Sequence, residues 1–195
     1  MNAIALAARA VAAIGELQAE LRAQPDEKWR DAFPDAPYAT FNFGTIAGGT
    51  ASNVIAEECR LRVSYRPLPG EDALAPYDAV CERLARLDPR EFGSPSLRGE
   101  IEVGPAFVVP GLRTPRGSAL EEALLAELGE TAVGGAPFCT DGGRFAAVGI
   151  DSLVCGPGEL AQAHQPNESI GRAALARTPD VILAVLGRLL GARPR

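Results

Sequence analysis

The chain has 195 residues, 47% apolar and 23% charged, a balance that suits one ordinary globular domain or two small ones and excludes a disordered or fibrous chain. A net charge of −6 leaves no electrostatic footprint for nucleic acid, and no basic amphipathic stretch points to a membrane surface. With one histidine, His164, and one lysine, Lys28, the chain has no His-Glu-x-x-His zinc helix, no two-His finger and no phosphate-cradling P-loop.

In chain order, Ile4, Ala7, Ala8, Val11, Ile14, Leu17 and Leu21 recur at helical spacing and predict a helix over 3–23, ended by Gln24-Pro25-Asp26. Phe41, Phe43 and Thr45 alternate with Asn42, Gly44 and Ile46, the pattern of a strand. Residues 58–66 alternate more strictly: Cys59, Leu61, Val63 and Tyr65 share one side, and Arg60, Arg62, Ser64 and Arg66 the other. That predicts a half-buried strand with a cationic outer face. Gly48 and Gly49 lie in the loop between the two strands. A second helix starts at Pro76 and stops at Asp88-Pro89. Residues 100–109 begin as another alternating strand, and the Gly/Pro-rich stretch 104–117 is the best domain boundary. Beyond it, Ser118 and Glu121 form a capping box for a helix through Leu128, stopped by Gly129. Short apolar runs at 131–133 and 151–155 read as buried strands flanking a Gly-rich segment, 134–143. The last helix is expected to start with Thr178 as cap and Pro179 in its first turn. The chain thus reads as two α/β units.

The four cysteines, Cys59, Cys81, Cys139 and Cys155, show no Cys-x-x-Cys pairing and sit among apolar residues, so reduced, buried thiols in a cytoplasmic protein are expected. No apolar run approaches the roughly 18 residues of a membrane span, and the apolar N-terminus lacks a basic region and a cleavage signal.

Three places carry candidate chemistry. His164 stands just beyond the apolar run 151–155 and the turn Gly156-Pro157-Gly158, with Pro166 biasing Gln165 to be extended. Ligands bind at such strand ends in open α/β sheets; the plainer alternative is a surface histidine hydrogen-bonded to Glu168. One histidine cannot hold a metal alone. Cys139 or Cys155 could pair with it as a nucleophile, but nothing nearby in sequence lowers a thiol pKa. The second place is Thr140-Asp141-Gly142-Gly143, either a loop turning backbone amides to a ligand or an ordinary turn with Asp141 as N-cap. The third is Asn53 with Arg66. The Arg66 fork suits a carboxylate, unless it simply continues the exposed stripe of Arg60 and Arg62. Fully extended, residues 53 and 66 would stand roughly 43 Å apart, which a dimer accommodates if each subunit lends one end.

The run from Gly44 through Gly48-Gly49-Thr50-Ala51-Ser52-Asn53 to Ile55, then Glu58-Cys59-Arg60 and Arg66-Pro67-Leu68-Pro69-Gly70, resembles the dimerisation or lid domain of a metallohydrolase family. That family includes acetylornithine deacetylase, succinyl-diaminopimelate desuccinylase and the carboxypeptidase G type enzymes. Thr140-Asp141-Gly142-Gly143-Arg144-Phe145, Gly156-Pro157-Gly158 and Ala163-His164-Gln165-Pro166-Asn167-Glu168 resemble the C-terminal half of its catalytic domain, in family order.

The resemblance implies an α/β chain. Residues 1–107 would be a two-layer, ferredoxin-like α-β sandwich lid whose first strand is missing, and 108–195 the C-terminal half of a zinc-exopeptidase-like catalytic domain. It implies hydrolysis of N-acyl amino acids or short peptides by water activated between two divalent ions, zinc or cobalt. His164 would be a metal ligand and Glu168 its partner, while Asn53, Arg66, Thr140, Asp141 and Gly142 would contact substrate. A homodimer through the lid is implied as well. The family's His-x-Asp ligand, bridging Asp, general-base Glu and lid histidine lie in an N-terminal segment that this sequence does not match. The chain is therefore expected to carry no catalytic group of its own and to be incomplete, inactive and partner-dependent alone. The alternative is a non-catalytic dimerisation or binding remnant.

Overall fold

A computed structural model describes residues 2–88, 90, 99–130 and 133–191. The fold is mixed α/β, with helices and one small antiparallel sheet among the described residues. The chain divides into two compact units, one of Met1–Gly111 with Gly135–Cys139 and one of Leu112–Gly134 with Thr140–Arg195.

In the first unit, helix α1 spans Ala3–Ala23. The Asn2 side chain caps it by accepting from the Ile4 and Ala5 backbone amides at 3.0 and 3.3 Å. Its buried stripe is Ala3, Leu6, Ala7, Ala10, Ile14 and Leu17. Relative to the expected stripe this face is rotated: Ile4 and Ala8 are exposed, and Leu6 and Ala10 point inward instead. Many of these residues are alanines, so apolar spacing by itself does not single out one face; the sheet chooses it.

Strands β1 (Thr40–Gly48) and β2 (Cys59–Arg66) form the antiparallel pair. α1 packs against both, and its Gln18 side chain clamps the start of β1. Gln18 accepts from the Phe41 amide at 2.7 Å and donates to the Ala39 carbonyl at 3.4 Å. The pairing runs Thr40 opposite Arg66, Asn42 opposite Ser64 and Phe43 opposite Val63. It then slips, so that Thr45 opposes Arg62, Ile46 opposes Leu61 and Ala47 opposes Arg60. Gly44 is the extra residue of a β-bulge. The bulge changes the parity of β1. Plain alternation puts Thr45 with the phenylalanines; the bulge moves it to the polar side and brings Ile46 to the side of Phe41 and Phe43. Across the pair, the Phe41 and Tyr65 rings lie 6.1 Å apart. The Tyr65 hydroxyl donates to the Ala73 carbonyl at 2.9 Å, and burial, then the charges of Asp78 and Asp72, push its pKa up. Helix α2 spans Ala75–Ala85, with Pro76 in its first turn as expected, and an Arg83–Glu20 ion pair ties it to α1.

The expected strand at 100–109 is not formed among its residues. Pro105 within the segment has no backbone N–H to give to a ladder, and the segment pairs with neither strand of the described sheet. The Tyr77 hydroxyl instead donates to the Gly104 carbonyl at 3.2 Å.

In the second unit, helix α3 (Ala119–Leu128) begins at the predicted capping box. Ser118 Oγ accepts from the Glu121 amide at 3.2 Å. The Glu121 carboxylate reaches one residue further than the standard box and accepts from the Gly117 amide at 2.6 Å. Gly129 stops the helix in the left-handed region, φ 74°. After the short helix α4 (Gly142–Ala147), helix α5 spans Arg172–Leu189. It starts well before the expected Thr178 cap, so Pro179 lies inside it. The Arg172–Arg177 run, rich in alanine, propagates helix strongly enough to carry a proline, and Thr178 Oγ1 bonds back to the Ala174 carbonyl at 3.0 Å. Ala123, Leu124, Val181 and Val185 make the core between α3 and α5, with Leu153 against it. Residues 151–155 are not a strand either; Ser152 is held by its carbonyl accepting from Thr114 Oγ1 at 2.7 Å. The expected strand 131–133 falls mostly outside the described residues.

The thiol expectation is corrected. Cys59 and Cys81 are half-buried, Cys139 and Cys155 are exposed, and all four are free. Among the described residues no helix is long and apolar enough to cross a membrane.

Candidate substrate and metal site

The candidate residues fall in both units. Asn53 and Arg66 belong to the first; Thr140, Asp141, Gly142, His164 and Glu168 belong to the second.

Asn53 is exposed in a turn closed by the Val54 amide donating to the Ala51 carbonyl at 3.2 Å. Arg66 ends β2 on its solvent side, with Nη1 donating to the Tyr65 carbonyl at 3.1 Å. Its fork is held near the backbone without an ion pair among the described residues, which leaves its charge open to an anion.

In the 140–142 turn the organising side chain is Thr140, not Asp141. Thr140 Oγ1 accepts from the Gly142 amide at 3.1 Å, whereas Asp141 stands at the N-cap position of α4 with no side-chain cap bond. The Asp141 carboxylate is exposed and lies 3.8 Å from Arg144 Nε. The Gly142 amide is therefore already satisfied and α4 is six residues long, so a ligand held by amides at a helix N-terminus is not what this turn builds. A Cβ at Gly142 would come within 2.9 Å of Leu112 Cδ2, the end of a flexible side chain, and 3.1 Å of Thr140 Oγ1.

His164 is exposed and takes the left-handed conformation, φ 61°, as does Asn167 at 63°. For histidine that conformation costs on the order of 1–3 kcal/mol unless the surroundings impose it. Here the Glu168 carboxylate accepts from the His164 backbone amide at 3.3 Å, and the Glu168 amide donates to the Gln165 carbonyl at 3.0 Å. Glu168 and His164 are brought together, but through the main chain rather than the imidazole. The ring is thus available to a ligand. No three His, Cys, Asp or Glu side chains converge as a metal site among the described residues, so His164 contributes one donor where zinc requires three or four protein ligands. These residues alone do not fit a metal centre. Sequence reading missed the Thr140 and Gln18 side-chain bonds, because neither residue departs from the pattern around it.

Residues 1–90 match the family described as the peptidase dimerisation domain. Over 188 residues the chain is 36% identical to acetylornithine deacetylase of Erwinia tasmaniensis, covering 95% of this chain and 46% of that protein. It is 30% identical to acetylornithine deacetylase of Pasteurella multocida, covering 96% of this chain and 46% of the relative. Aminopeptidase PepT of Bacillus cereus shares the fold, with a TM-score of 0.58 at 22% identity, over 78% of this chain and 40% of that one. Residues 1–90 thus carry the peptidase dimerisation domain, and the similarity to acetylornithine deacetylases extends over most of the chain, as in a C-terminal portion of such a protein. It spans about half the length of the curated relatives that it matches.

Proposed function

We propose that the chain is the C-terminal part of a metal-dependent amidohydrolase acting on N-acyl amino acids in the cytoplasm. Residues 1–107 serve as lid and dimerisation domain, and 108–195 as half of the catalytic domain. The observation that carries this reading is the similarity to acetylornithine deacetylases across nearly the whole chain. In it, His164 would give an imidazole nitrogen to one of two divalent ions, zinc or cobalt, completed by ligands outside these residues, and Glu168 fixes the main chain that presents it. Arg66 holds the substrate carboxylate, with Asn53 and the Thr140–Gly142 turn as further substrate contacts. The other ligands and the general base come from polypeptide outside these residues. Hydrolysis of at least one N-acetyl amino acid, in a set that includes N-acetylornithine and N-acetylglutamate, is expected when the purified chain is mixed with zinc or cobalt and the part of a relative that it does not match, and is expected to fall at least a hundredfold with His164→Ala. Equal activity in that variant overturns the metal role. Silence of the mixture favours a second reading, a dimerising fragment without catalysis, for which residues 1–90 and their matched dimerisation domain speak.

Either reading includes a homodimer. β1 is exposed along most of its length, its outer edge is unpaired among the described residues, and Phe43 and Ile46 beside that edge are 40% and 54% exposed. Open apolar strand edges associate. Ile46→Lys is expected to convert a dimer to a monomer in sedimentation velocity while leaving the circular dichroism unchanged. A wild-type chain that is monomeric at tens of micromolar rules the dimer out.

A further inference from the structure

The Gly44 bulge sorts the hairpin into two chemically opposite faces. Phe41, Phe43 and Ile46 lie with Tyr65, Val63 and Leu61, while Thr40, Asn42 and Thr45 lie with Arg66, Ser64 and Arg62, and Ala47 with Arg60. The second face is rich in hydrogen-bond donors, carries three guanidinium groups and has no carboxylate of its own, in a chain whose net charge is −6. The arginines are not equivalent. Arg60 is neutralised by an ion pair with Glu58, which raises its pKa. Arg62 and Arg66 have no ion pair among the described residues, and both are exposed. They sit four residues apart on one strand face, roughly 13 Å between backbones. The short Ser64 between them leaves room for both long side chains to lean over it.

We propose that this face selects a ligand with two carboxylates, Arg62 reading the second one. The substrate class is then an N-acyl acidic amino acid rather than an N-acylornithine. The proposal rests on the reading of Arg66 as the grip for the first carboxylate. A planar fork binds a carboxylate bidentately and repels an ammonium. Specificity gained this way combines attraction for one ligand with rejection of the other. Thr45 opposite Arg62, and Asn42 opposite Ser64, supply neutral hydrogen bonds beside the charges.

The test is calorimetric titration of the full chain with N-acetylglutamate, its near-isostere N-acetylglutamine and N-acetylornithine. Arg62→Gln and Arg66→Gln are titrated alongside, with thermal melts to show that both exposed-site variants fold. N-Acetylglutamate is expected to bind at least tenfold tighter than N-acetylglutamine and N-acetylornithine. Arg62→Gln should erase that preference while leaving N-acetylglutamine binding unchanged, and Arg66→Gln should weaken all three acyl amino acids. Equal binding of N-acetylglutamate and N-acetylglutamine, both weakened by Arg66→Gln, overturns the role of Arg62 and leaves that of Arg66 standing. Binding indifferent to both substitutions, or no binding at all, overturns both.

Discussion

Replacing Ile14 by alanine is expected to destabilise the Met1–Gly111 unit by about 2–5 kcal/mol, the usual cost of emptying a well-packed isoleucine site. Ile14 is 1% exposed, the most deeply buried of the large side chains described, at the centre of the α1 face that covers the sheet. Its neighbours on that face are largely alanines, too short to refill the space. Small domains are held by only about 5–15 kcal/mol, so the loss is a large share of the margin. Trp29 is the chain's one tryptophan and lies in this unit, so urea unfolding followed by its fluorescence reads the effect without interference from the second unit. A midpoint equal to that of the wild type would mean that α1 does not dock through Ile14.

Gly135→Ala is expected to cost about 3 kcal/mol, at the upper end for a side chain forced into occupied space. A Cβ at that position would stand 2.3 Å from the Ala32 carbonyl oxygen and 2.8 Å from Phe33 Cε1. Backbone cannot swing aside as a flexible side chain can, so the Gly135–Cys139 segment would have to leave the unit. The neighbouring Gly134 has nothing within 4 Å of its would-be Cβ, and Gly134→Ala serves as the matched control. Protease cleavage near 135–139 should accelerate in the first variant only. Equal cleavage of both would show that the close approach does not constrain the chain.

These two sites differ in how far the sequence alone could have led to them. Ile14 lies on an apolar stripe at helical spacing, and such periodicity follows from local geometry. The β2 alternation, the Pro76 start of α2 and the Ser118–Glu121 box were legible for the same reason, since each depends on contacts within a few residues. Gly135 looks like any loop glycine until Ala32, a hundred positions away, is placed against it.

The misread elements share this cause. Residues 100–109 and 151–155 alternate or run apolar as strands do, but a strand exists only where a neighbour supplies the ladder. In α5, Pro179 marks a helix start by local rule, yet the alanine-rich turns before it carry the helix back to Arg172. The site divides in the same way. Motif order pointed to His164, Glu168, Asn53, Arg66 and the 140–142 turn, whereas the left-handed main chain of His164, its bond to Glu168 and the cap by Thr140 are three-dimensional facts.

By itself the sequence determined the helical and strand character of segments whose periodicity is local, the scarcity of metal donors and the family likeness of the motifs. Tertiary structure alone decided the face of α1, the Gly44 bulge that gathers Arg62 and Arg66 with Thr45 on one side, and the close approach at Gly135. Each of those depends on partners distant in the chain, and their positions are set by packing rather than by any nearby residue.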